Sequence, residues 1–134
     1  MPSTTYNITP GMFSRELPVT TQAHFKSSTA GTNSTLIRGS AGSVFNIIVH
    51  NTHGGGGGGS AITLRFYDKT TTPVVGTDVP MIIIHIGSGT SKELNFTSGI
   101  TFKNGIAYSI TAGDTLMDAT AVDADGVQLY IGYI

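Results

Sequence analysis

The residues most suggestive of chemistry are six consecutive glycines, Gly54 to Gly59. A glycine-rich loop can cradle phosphate oxygens with its backbone N–H groups. A phosphate loop of that kind ends in Lys followed by Ser or Thr and opens a helix, so that a cation and a helix N-terminus face the anion. Here the run passes through Ser60-Ala61 into a strand-like segment, and both are missing. The run reads as a flexible connector. A second reading stays open, in which the unhindered backbone lets another subunit approach closely.

His50 and His53 flank the run, with His24 and His85 elsewhere. Two imidazoles hold a metal only when a third ligand converges, and no helix projects these two together. They read as strand-end and loop residues. His85 lies in an apolar run and is expected to be hydrogen-bonded and partly buried. Asp114, Asp118, Asp123 and Asp125 cluster late in the chain, the last followed by Gly126. Asp-x-Asp-Gly is a fragment of oxygen-rich calcium loops, but the remaining ligands and the closing Glu are absent. A turn before the last strand accounts for Asp125-Gly126 with less machinery. No Gly-x-Ser-x-Gly elbow is present, and the eight acids lie mostly beside turns, so no carboxylate pair suited to glycoside hydrolysis is evident. Asn7, Asn33 and Asn95 match the glycosylation sequon by chance in a Thr-rich chain. No catalytic, cofactor-binding or metal-ligating residue is assigned, and the chain is not read as an enzyme.

Composition points the same way. Only 11% of residues are charged, less than half the usual share, and the net charge is −1. Nucleic-acid binding needs a concentrated basic footprint, which seven scattered basic residues do not supply. With no cysteine, disulfides, thiolate catalysis and Cys-ligated zinc are excluded. Met1 to Thr5 carries neither a basic flank nor an apolar segment of signal-peptide type. The apolar run Met81–Ile84 is far too short to cross a bilayer. A sparsely charged, Thr-rich surface suits either an ordinary β-protein or one covered by neighbouring subunits, since interface cores are poor in charge.

The elements that would position these residues are strands. Alternation of period two recurs in residues 61–68, 92–96, 106–111 and 127–134. Val44–His50 and Met81–Ile86 are nearly continuous apolar runs and read as the most buried strands. Val19–Lys26 and Ser34–Arg38 are weaker candidates. About eight strands separated by Gly, Pro, Ser and Asp predict an all-β antiparallel β-sandwich, a jelly roll in preference to an immunoglobulin-like sandwich. Asn104-Gly105 reads as a hairpin turn. Residues 1–18, with three prolines and a glycine, predict an extended N-terminal arm that packs on a partner chain or is a loosely held terminus. Residues 19–134 form a single domain.

Three stretches in the second half carry a family resemblance: Leu64-Arg65-Phe66-Tyr67-Asp68-Lys69, Pro73 to Pro80 with its Gly76-Thr77-Asp78 turn, and Asn104 to Thr111. In this order they resemble small β-sandwich virion proteins of tailed bacteriophages and prophages. The likeness covers Ser60 to Ile134. The first half matches poorly, and the glycine run stands where that family has a short polar hairpin. The resemblance implies a capsid decoration (cement) protein at the virion, assembled in the host cytoplasm. Its partner would be the phage major capsid protein, and it would act as a homo-oligomer, dimer or trimer, with no nucleic-acid or membrane partner. The alternative is a tail- or fibre-associated module binding carbohydrate or a receptor, with Tyr67, Tyr108, Tyr130 or Tyr133 stacking on sugars, although most of these read as core or interface residues.

Overall fold

A computed structural model describes residues 21–52 and 61–134. The arm at 1–18, the start of the Val19 segment, His53 and the glycine run lie outside the described residues. Eight strands follow in order: β1 (Gln22–Ser27), β2 (Thr35–Arg38), β3 (Gly42–Asn51), β4 (Ile62–Asp68), β5 (Ile82–Ile86), β6 (Ser91–Phe102), β7 (Ile106–Thr111) and β8 (Val127–Tyr133). They form two four-stranded sheets, ordered β1-β8-β3-β6 and β2-β7-β4-β5, with every pairing antiparallel. Each strand that ends in one sheet is followed by one in the other, until β4 turns back into β5. That connectivity is the jelly roll, and each predicted strand segment overlaps one observed strand, although β3 and β6 run well beyond theirs.

The core lies between the sheets. Val44, Ile47, Val49, Leu129 and Ile131 from the first sheet meet Ile62, Leu64, Phe66, Tyr108 and Ile110 from the second. The Phe66 ring centroid lies 6.0 Å from that of Phe102 and 6.3 Å from that of Tyr108, both in tilted geometry. Such pairs add to the area they bury. A crevice lined by Val44, Ile47, Phe66, Ile82, Ile100 and Phe102 has no room for a water molecule.

Four expectations differ from the observed fold. The Met81–Ile86 run is not a central strand: β5 is an edge, its Ile82, Ile83 and Ile84 are half-buried, and Met81 is exposed. β3, from the Val44–His50 run, has two neighbours, but Ile48 and His50 are exposed on its outer face, so it is not among the most buried strands either. The strands buried throughout are β4 and β7. Their outward residues are Thr63, Arg65 and Tyr67, and Ala107, Ser109 and Thr111, where alternation alone would predict a solvated face. His85 is exposed, although its Nδ1 lies 3.1 Å from Thr63 Oγ1. Asn104-Gly105 closes no hairpin, because β6 pairs with β3 while β7 pairs with β2 and β4. The dipeptide carries the chain from one sheet to the other.

Candidate functional site

The three stretches that carry the family resemblance meet at one end of the sandwich. Asp68, the last residue of β4, accepts hydrogen bonds from the backbone N–H of Asn104 at 2.7 Å and of Gly105 at 3.3 Å. Lys69 donates its backbone N–H to the Gly105 carbonyl at 3.2 Å, and its ammonium is paired with Asp78. Asp78 in turn accepts the Val74 N–H at 2.7 Å, closing the β4–β5 loop on itself. Gly76 sits in that loop at φ +89°, a conformation that disfavours a side chain. One strand further in, the Tyr67 hydroxyl lies 3.0 Å from Ser109 Oγ. Burial pushes the Asp68 carboxyl up, but the hydrogen bonds from Asn104, Gly105 and Lys103 outweigh it and hold the group below its ordinary value. The Lys69 contact, with the Val74 N–H, does the same for Asp78. These residues form a clasp that ties the β4–β5 loop to the β6–β7 crossing. Each polar group in it faces another part of the chain, so it is scaffold.

The opposite flank of the second sheet is closed by Arg65. Its side chain is fully buried, with Nε donating to Thr111 Oγ1 at 3.0 Å, Nη1 to the Leu116 carbonyl at 2.8 Å and Nη2 to the Gly113 carbonyl at 3.0 Å. Among the described residues no carboxylate lies within ion-pair distance of it. The guanidinium therefore works as a three-way donor that folds the β7–β8 loop down over the sheet. Asp118 stabilises the same loop, accepting from the Gly113 and Thr120 N–H groups at 2.9 and 3.1 Å and from Thr120 Oγ1 at 2.8 Å. Burial raises its carboxyl and these hydrogen bonds lower it further, to a net value below the usual one.

The four late aspartates thus separate. Asp118 is consumed by its own loop, and Asp125 accepts from Ser27 Oγ at 3.0 Å and occupies a left-handed turn at φ 57°. No group of three or more metal-ligating side chains assembles among the described residues. His50 contacts Ser91 Oγ on the outer face of the first sheet, while His85 lies on the second sheet, so the structure does not bring them together. Tyr67 and Tyr108 are buried, as the core reading of the tyrosines has it.

What the fold does present is the outer face of the first sheet. Since Val127, Leu129 and Ile131 point inward, Gln128, Tyr130 and Gly132 point outward, and register places Phe25, Tyr130, Ile48 and Glu93 in one row across all four strands. The flanking rows are Ala23, Gly132, Asn46 and Asn95, and Ser27, Gln128, His50 and Ser91. Glu93 is the one carboxylate among these twelve, and none of them is Lys or Arg. Phe25 is 70% exposed and Ile48 39%. Sequence reasoning left Phe25 unremarked, and no local signal finds it: between His24 and Lys26, alternation would turn the phenyl ring inward, the reverse of its observed place.

No protein-family model matches the chain, and no curated protein matches it. Among solved structures it is similar to the coat protein of Tobacco streak virus. One crystal form is 12% identical with a TM-score of 0.39, covering 90% of each chain. The dimer of the same protein is 13% identical with a TM-score of 0.37, covering 90% of this chain and 88% of that one. Likenesses this loose say nothing of role.

Proposed function

We propose that this chain is a virion structural protein of the capsid-decoration (cement) kind, which binds the major capsid protein of a tailed phage as a homo-oligomer and stabilises the shell. The observation that carries the reading is the outer face of the first sheet. It is a four-stranded surface on which Phe25, Tyr130 and Ile48 form an apolar row that ends in Glu93. Contiguous exposed apolar surface of this sort is the mark of a docking site. Charge depletion is what separates an interface core from ordinary surface. The resemblance of the clasp residues to phage virion proteins supplies the partner class.

The mechanism is mechanical. A protein that binds the assembled shell and not its free subunits stabilises assembly by mass action, and symmetry multiplies each modest contact. Quantitative mass spectrometry of purified particles tests this. The expected result is a copy number in fixed proportion to the major capsid protein. A few copies per particle would move the protein to the tail or neck, and absence would remove it from the virion.

A further inference from the structure

Among the described residues β1 is an edge strand, hydrogen-bonded to β8 alone. Its hold on the second sheet includes His24, which lies opposite Ile131 and so points between the sheets. There His24 Nε2 meets the hydroxyl of Tyr108 on β7 at 2.8 Å, with the two rings edge to face and their centroids 5.3 Å apart. Tyr108 is fully buried, its phenol pushed up to about 12 by burial, so it stays neutral and cannot serve as a counter-ion. Thr35 of β2, its other hydrogen-bond partner, is neutral too. The charged group facing the imidazole is Lys26, two residues along the same strand, and it has the wrong sign. β8 contributes Ile131. Among the described residues, an imidazolium at this seam has no compensating charge.

We propose that protonation of His24 releases β1 from the sandwich, making this edge an acid-sensitive latch. In the docked strand, burial and Lys26 both disfavour the charged ring, holding its pKa below 6.5. Once β1 swings out, the ring regains water and the ordinary value. Open β1 therefore binds more protons than docked β1 as pH falls below 6.5, and the latch is full above that pH and weakens below it. Release also removes Phe25 from the row it shares with Tyr130 and Ile48, so acid would dismantle the outer face of the first sheet. The latch itself does not depend on what that face binds.

Amide exchange of the intact protein, corrected for the intrinsic pH dependence of exchange, tests the latch at pH 7.5, 6.5 and 5.5. Protection of residues 22–27 is expected to fall by up to roughly tenfold per pH unit below the free imidazole value, while β4 and β7 keep theirs. His24→Gln, which can still bond Tyr108, should flatten the dependence. Asp125→Asn, at the Ser27 contact on the far end of β1, should leave it in place. The proposal is overturned if β1 protection is constant, if it falls equally in His24→Gln, or if β1 and β7 lose protection together. Should His24→Gln not fold, the wild-type imidazole is titrated by NMR. A midpoint below 6.5 that tracks the loss of β1 protection is expected, and a midpoint at or above 6.5 overturns the latch.

Discussion

Replacing Arg65 by Met tests how the second sheet keeps its outer face dry. The substitution retains most of the apolar stem and removes the three-way donor. It takes the guanidinium donor from the carbonyls of Gly113 and Leu116 and from the hydroxyl oxygen of Thr111, although Thr111 Oγ1 still donates to the Gly113 carbonyl at 3.1 Å. Each orphaned acceptor costs about 1–3 kcal/mol if it stays dry. The three are not additive, because the β7–β8 loop can lift and let water in. Met also avoids the desolvation cost of the cation, which returns part of the loss. A net destabilisation of about 3 kcal/mol follows, equivalent to a fall of roughly 10 °C in Tm for a chain of this size. Arg65→Lys should recover little, since an ammonium offers no planar fork and is more strongly hydrated. The assay is urea unfolding followed by circular dichroism, reading the midpoint at constant m. Exchange at the Gly113 and Thr120 amides, which Asp118 binds, should report loop lifting in parallel. If both variants lose less than about 1 kcal/mol, Arg65 does not hold this loop, and the buried face of β4 needs another explanation.

Gly105→Ala should be among the most damaging single-methyl changes. A Cβ there would lie 2.2 Å from the Lys69 carbonyl oxygen and 2.7 Å from that of Arg38, both backbone atoms, and a loss above about 2 kcal/mol in urea unfolding is expected. Gly99→Ala, at φ +77° against the Phe45 ring at 3.0 Å, should cost less, because a side chain can give way. Acid should loosen the clasp and the β7–β8 loop. Asp68 and Asp118 have values below 3.8 in the folded protein, so their stabilisation is complete above 3.8 and is lost as pH falls through the folded values. A pH series of melting temperatures should show that loss in wild type and a smaller one in Asp68→Asn. Phe25→Ser should leave the melting temperature within a few degrees, since the ring is 70% exposed.

Most of the fold was legible because period-two alternation and turn punctuation are local properties. Residues 106–111 read as a strand from Ile106, Tyr108 and Ile110 alone, and the observed strand has the same limits. What the residues do not carry is which strands have neighbours. Met81–Ile86 looks central by composition, and its edge position is set by the order β2-β7-β4-β5, a matter of long-range pairing. Arg65 shows the converse: alternation turned it outward correctly, but its burial depends on a loop nearly fifty residues later, reached through Leu116 and Gly113. The Asn104-Gly105 signal marked a true bend but no hairpin, because a dipeptide biases local geometry and not the sheet it leads into. Asn33 read only as a chance sequon match. It adopts φ 53° and bonds Thr29 through both its oxygen and its nitrogen, at 2.9 Å each, a local device that no periodicity reveals. The clasp was legible as three motifs and not as one object, since only the fold brings Asp68, Asp78 and Asn104 together.

The central claim is that the outer face of the first sheet seats on a capsid. Purified protein can be added to phage particles stripped of it, alongside Phe25→Asp and Ile48→Asp variants that melt as wild type does, and the bound copies counted by cryo-electron microscopy. The account predicts saturable, symmetric density with the β1-β8-β3-β6 face against the shell, and at least tenfold weaker binding for the variants, the effect of about 1.4 kcal/mol at each anchor. Wild-type levels of binding by both variants, or density with that face turned to solvent, would contradict it.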